Sequence, residues 1–211
     1  MERGYRWDRE EAVSESLLSI GDRHGTDKFG KLGYHHFYEK HLGHLRGREF
    51  MLLEIGVYHG ASLRTWEEYF PKATIIGLDC DRACASIPFE RAKVVFGSQS
   101  DPACLASIAA LASGFDVVID DGSHMMGDQQ ASFKALFPRL HSGGFYVMED
   151  LHTSYWNDYG GGPCDKPGTT IGMLKFVVDD VNQDIHKGAQ KAPAPIKAMH
   201  FYAGITFIER G

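Results

Sequence analysis

Short, nearly continuous apolar runs recur along the chain, separated by segments of mixed polarity. MLLEIGV (51–57), TIIGLD (74–79), KVVFG (93–97), FDVVID (115–120) and GFYVME (144–149) are rich in β-branched and aromatic residues. Unbroken rather than alternating hydrophobicity predicts strands covered on both faces, as in a parallel sheet. The intervening segments are long enough for crossover helices. One has an explicit start, where Asp101 can cap and Pro102 suits a first turn whose N–H has no partner anyway. AMHFY (198–202) and ITFIE (205–209), with Ala203-Gly204 between, predict an antiparallel hairpin closing one sheet edge. A helix is expected over 170–187 and a glycine-rich loop over 156–168. The whole reads as an α/β fold with a doubly wound, mostly parallel seven-stranded sheet and an antiparallel C-terminal hairpin. It is expected to be one domain over 1–211, with residues 1–50 as a helical N-terminal cap region.

Composition narrows the picture. The chain has 211 residues, 43% hydrophobic and 24% charged, which is ordinary for a globular domain able to bury a full core. A formal net charge of −6 argues against a dominant basic patch, so no nucleic-acid partner is expected. No run of about 20 apolar residues is present, so no membrane span is expected. The opening MERGYRWDREE is charged throughout and lacks a signal-peptide hydrophobic region, which points to a cytoplasmic protein. Cys80, Cys84, Cys104 and Cys164 lack Cys-x-x-Cys spacing and read as free thiols.

The candidate chemistry sits at the strand ends. The first strand runs into Glu54-Ile55-Gly56-Val57-Tyr58-His59-Gly60, where glycines let backbone approach a ligand before a helix. The second ends in Asp79, suited to ribose hydroxyls, and the third runs into Gly97-Ser98-Gln99-Ser100, suited to an adenine edge. Tyr58 stands where a dinucleotide fingerprint would place its second glycine, which argues against NAD. A sulfonium cofactor has no pyrophosphate and needs no glycine there. The fourth strand ends in Asp120-Asp121-Gly122-Ser123-His124 and the fifth in Glu149-Asp150. Four carboxylates at neighbouring strand ends repel, and a hard divalent cation such as Mg²⁺ would relieve that. The alternative is that single acids cap helices or, as for Asp120, contact the cofactor. His124, three residues beyond the carboxylate pair, reads either as a base or as a hydrogen-bonded core histidine.

These residues carry a resemblance. The run Glu54 to Leu63 resembles the S-adenosylmethionine-binding motif of Rossmann-like class I methyltransferases. Together with Gly25-Thr26-Asp27-Lys28, Asp120 to His124 and Phe145 to Trp156, the chain is similar, over roughly 20–210, to the metal-dependent macrolide sugar O-methyltransferases of the mycinamicin and tylosin tailoring type. The resemblance implies S-adenosylmethionine (SAM) and Mg²⁺ as cofactors and a sugar hydroxyl of a glycosylated natural product as acceptor. It implies Asp121, Glu149 and Asp150 as metal ligands and His124 as catalytic base. It implies Glu54, Gly56, Asp79 and the turn around Gln99 as cofactor contacts, to which the strand-end reading adds Gly60, Ser98 and Asp120. The rivals are a NAD-type oxidoreductase and a non-catalytic SAM-binding module.

Other features stay open at this level. Tyr155, Trp156 and Tyr159 suit a wall for a sugar ring or ordinary loop packing. His35, His36, His41 and His44 have irregular spacing and no metal cluster is expected among them. Thr26, Asp27 and Lys28 suit a cover over the cofactor pocket or a helix boundary. A homo-oligomer is expected.

Overall fold

The computed structural model describes residues 15–30, 32–185 and 194–211. The N-terminal cap contributes α1 (Leu17–His24), α2 (Asp27–Gly30) and α3 (His35–Leu42). There follow β1 (Met51–Ile55), α4 (Ala61–Tyr69), β2 (Thr74–Asp79), β3 (Lys93–Phe96), α5 (Pro102–Ala109) and β4 (Phe115–Asp120). The chain continues through α6 (Met126–Leu136), β5 (Leu140–Met148), α7 (Thr170–Val181), β6 (Ile196–Tyr202) and β7 (Ile205–Arg210).

All seven strands form one sheet in the order β3-β2-β1-β4-β5-β7-β6. The first five are parallel, and β7 runs antiparallel to β5 and to β6. The unbroken apolar runs have the expected cause, because adjacent residues enter different cores. Leu52, Val117 and Phe207 pack with Leu17, Tyr38 and Trp66 of α1, α3 and α4. Leu53, Val118 and Ile208 pack on the opposite face with Leu105, Phe133 and Leu174 of α5, α6 and α7. The sheet is thus covered on both sides, and its carboxyl edge is the free place for a ligand.

Local signals explain most boundaries. Asp101 caps α5, its side chain accepting the Ala103 N–H, with Pro102 in the first turn. Ala203-Gly204 turns the hairpin, Gly204 at φ +80°. Of the expected cap region 1–50, α1 to α3 lie between Leu17 and Leu42; residues 1–14 lie outside the described residues. α7 stops at Val181, earlier than the expected 187, and positions 186 and 187 lie outside the described residues. β5 begins at Leu140 rather than 144. His141, Ser142 and Gly143 are exposed there, so the apolar pattern that marks a strand is missing; Leu140 pairs with Phe115 of β4, and after an irregularity the register resumes at Phe145.

Candidate active site

The carboxyl ends of β1 to β5 open onto a cavity of about 860 Å³. One wall is the turn after β1. Gly56 adopts φ +93°, and a Cβ there would collide with the Asp121 carbonyl, so only glycine lets the turns after β1 and β4 come this close. Asp79 closes the turn from β2. Its Oδ2 accepts the backbone N–H of Val57 (2.8 Å) and Tyr58 (3.0 Å), and its Oδ1 accepts that of Asp81 (2.8 Å). Burial raises the Asp79 pKa, but the three N–H donors outweigh it and hold the carboxyl below its ordinary range. Ser98 and Gln99 line the cavity beside it.

Three expected cofactor residues do not line the cavity. Glu54 and Asp120 are fully buried, and their side chains leave the sheet on opposite faces. Glu54 Oε2 accepts the Ser62 hydroxyl (2.8 Å) on the cap side. Asp120 turns toward α6, accepting from Gln99 Nε2 (3.0 Å), Tyr146 Oη (3.0 Å) and Ser132 Oγ. Burial pushes Asp120 up to about 6 against those three donors. Gly60, at φ +77°, precedes α4 beneath the Phe89 ring. These residues support the turns from behind. Gln99 does both: it lines the cavity while its Oε1 accepts the Ser123 N–H at 2.8 Å.

The facing wall is acidic. Asp121, His124, Glu149 and Asp150 all line it. Asp121, His124 and Asp150 each offer a ligand atom within 4.8 Å of the others, the one such group among the described residues. His124 Nε2 lies 4.0 Å from Asp121 Oδ1 and 3.7 Å from Asp150 Oδ2. The backbone is strained to achieve this. Tyr58, His124 and Asp150, at φ +50°, +57° and +52°, are the described non-glycine residues with positive φ, and all three line the cavity. Such conformations cost about 1–3 kcal/mol each and persist where surrounding structure imposes them.

Lys28, from α2, reaches into this wall, a role its sequence context did not reveal. Its Nζ is 2.9 Å from Glu149 Oε1 and 3.4 Å from Glu54 Oε1, and it also pairs with Asp121 Oδ2. Burial opposes its charge, but Asp121, Glu149 and Glu54 outweigh that and hold its pKa well above the ordinary value. Burial, then the neighbouring Asp121, raises Glu149, against Lys28 and the Tyr38 hydroxyl. Thr26, Asp27 and Lys28 all line the cavity. Tyr38 and Tyr34 of the cap donate to Glu149 and Asp150 and were not singled out. The Gly25-Thr26-Asp27-Lys28 run was the one available signal.

The donor set fits Mg²⁺. Asp121 Oδ1 and Asp150 Oδ2 are hard oxygens that both lie within 4.0 Å of His124 Nε2. Glu149 stands outside that close group, and both of its described hydrogen bonds fall on Oε1, none on Oε2. The four histidines of the cap region form no such group with other described residues. The four cysteines are unpaired. Beyond the acidic wall, the Tyr159 ring lies 6.2 Å from that of His124 and 6.0 Å from that of Trp156. Tyr155 and Trp156 are each 50% exposed, so an aromatic ledge adjoins the site.

This strand order, glycine turn and acidic second strand end define the Rossmann-like class I methyltransferase fold. No family model matches the chain. It is 37% identical over 207 residues to the 8-demethyl-8-α-L-rhamnosyl tetracenomycin-C 2′-O-methyltransferase of Streptomyces olivaceus, covering 92% of this chain and 54% of that protein. It is 37% identical over 218 residues to the demethylmacrocin O-methyltransferase of Streptomyces fradiae, covering 95% and 54%. The MycE methyltransferase of the mycinamycin pathway, solved with Mg, SAH and mycinamycin VI, superposes with a TM-score of 0.87 at 35% identity, covering 94% of this chain and 54% of that one. The chain is therefore homologous to the macrolide sugar O-methyltransferases, and it spans about half the length of the curated relatives it matches.

Proposed function

We propose that this domain transfers the methyl group of SAM to a sugar hydroxyl of a glycosylated natural product, with Mg²⁺ at Asp121, Glu149 and Asp150. The observation that carries this reading is a single cavity in which the Gly56–Asp79–Ser98 wall faces the Asp121–His124–Asp150 cluster. Homology to sugar O-methyltransferases, and the Mg and SAH bound to MycE, support it.

Asp79 and the backbone of the Gly56 turn hold the ribose side of the cofactor, with Ser98 and Gln99 beside the base and Glu54, Gly60 and Asp120 bracing these segments. Asp79 stays ionised and has lone pairs left for ligand hydroxyls. A divalent ion, when bound, supplies Lewis acidity toward an acceptor hydroxyl. His124 Nε2 takes the acceptor proton. The new O–CH₃ bond forms as the C–S bond breaks, and its electron pair leaves on sulfur as S-adenosylhomocysteine. Alignment of acceptor and methyl carbon in one pocket supplies much of the rate, since SAM is already activated. Trp156 and Tyr159 offer faces for the sugar ring. Tyr58, 76% exposed where a dinucleotide site needs glycine, disfavours the NAD reading.

A screen of glycosylated natural products with methyl-labelled SAM, run with EDTA and with added Mg²⁺, tests this. Transfer to a sugar hydroxyl that stops in chelator and returns with metal is the expected result. Full transfer in chelator would remove the metal, and absence of SAM binding by calorimetry would end the methyltransferase reading. Homo-oligomeric assembly, expected from the sequence, is read directly by light scattering.

A further inference from the structure

Each proposed metal carboxylate uses its two oxygens differently. Asp121 gives Oδ2 to Lys28 and turns Oδ1 toward His124 Nε2, 4.0 Å away. Asp150 accepts the Tyr34 hydroxyl on Oδ1 at 3.3 Å and turns Oδ2 toward the same nitrogen, 3.7 Å away. Glu149 collects Lys28 at 2.9 Å and the Tyr38 hydroxyl on Oε1, and no described hydrogen bond falls on Oε2. All three anchoring donors lie between positions 28 and 38, in a cap that contributes none of the ligands. Lys28, Tyr34 and Tyr38 are 3%, 1% and 1% exposed, so they are held by packing and not by solvent.

Building on the metal reading above, we propose that Lys28, Tyr34 and Tyr38 are positioning residues of the metal centre, each fixing one carboxylate oxygen so that the other is presented to the ion. The terminal torsion of a carboxylate is broad and two-fold, so an unanchored Asp or Glu samples orientations that point no oxygen at the site. Anchoring one oxygen removes that freedom before the ion arrives. Partners of this kind are typically worth roughly 10- to 100-fold in metal affinity. The two tyrosines isolate the effect, because losing a hydroxyl changes neither net charge nor ring packing. Lys28 does not isolate it, since removing an ammonium also changes the attraction of the site for a cation.

The test is Mn²⁺ binding to the full chain, with the metal alone as probe, read by electron paramagnetic resonance or calorimetry. Tyr34→Phe/Tyr38→Phe is expected to bind Mn²⁺ roughly 10- to 100-fold more weakly, while its SAM affinity stays at the wild-type value. A purely structural role for the hydroxyls predicts a lower melting temperature with unchanged Mn²⁺ affinity in the folded protein. That outcome overturns the proposal. If the double variant does not fold, Tyr38→Phe alone decides it through Glu149, and wild-type affinity there overturns it equally. Asp150→Asn serves as reference. Wild-type binding that is lost in Asp150→Asn but kept in the tyrosine variants defeats this inference alone. A wild-type chain that binds no Mn²⁺ defeats the metal reading, and this inference with it.

Discussion

Lys28 Nζ lies among Glu54, Asp121 and Glu149 with almost no solvent, so its removal leaves buried carboxylates without a counter-charge. Breaking a buried ion pair from one side typically costs about 3–5 kcal/mol. Lys28→Met is expected to lose that much stability in urea titration with EDTA present, and to regain part of it with Mg²⁺. A loss under about 1 kcal/mol would show the carboxylates satisfied by other means. His124→Ala should keep SAM affinity and lower kcat by about 10²–10⁴-fold, the usual range for a general base. A folded variant with wild-type single-turnover rate would exclude His124 as base. Asp79→Ala should weaken SAM by about 1.5–3 kcal/mol, seen as a higher Kd in calorimetry; unchanged affinity would place the ribose elsewhere. The place of Asp79, Asp121, His124, Glu149 and Asp150 at the cavity was legible because each ends or follows an apolar run. The pairing of Lys28 with the carboxylates was not, because these partners lie 93 and 121 positions away and no local pattern encodes it. Glu54 and Asp120 misled for a related reason. Strand alternation turns their side chains sideways into the two cores, which a list of strand-end acids does not convey.

Elements whose ends are written in side-chain chemistry were the readable ones. α5 is an example, since Asp101 Oδ1 accepts the Ala103 N–H at 2.9 Å. Asp101→Ala should cost about 1 kcal/mol in chemical denaturation and leave Mn²⁺ and SAM affinity alone, since α5 begins on the far side of the Gly97–Ser100 turn. A change in ligand affinity would mean that this turn depends on the cap of α5. The early part of β5 was unreadable because its exposed residues carry no apolar signal and follow a single pair, Leu140 with Phe115 of β4. The four-residue α2 is likewise too short for periodicity to show; it exists because Phe29 packs against Trp66 and Tyr38, with ring centroids 5.8 and 6.2 Å apart.

For the whole molecule, the sheet's second edge carries its own titration. His41 packs beside His200 and Phe207 and meets Tyr202 Oη at 2.9 Å. Burial, then the charges of His200 and Lys40, lower its pKa to about 4 against the opposing Glu209. The unfolded chain takes up this proton near pH 6.5, and the folded one resists until about 4. Stability therefore falls as pH drops through that window and is unaffected by this group above it. His41→Phe should show a smaller drop in melting temperature between pH 7.5 and 5 than the wild type, the carboxylates titrating in both. Equal drops would assign the acid sensitivity to other groups.

The long reach of Lys28 also has a meaning in time. A chain growing at about 5–20 residues per second releases Lys28 about 6–24 s before Glu149, its partner 121 positions later. During that interval its partners arrive one at a time, Glu54 first and Asp121 next. Phe29 next to it can already find Trp66, so the cap can settle on α4 as soon as that helix emerges. Birth order then makes the apolar half of the cap a waiting platform, and the charged half is complete only when the fifth strand leaves the ribosome.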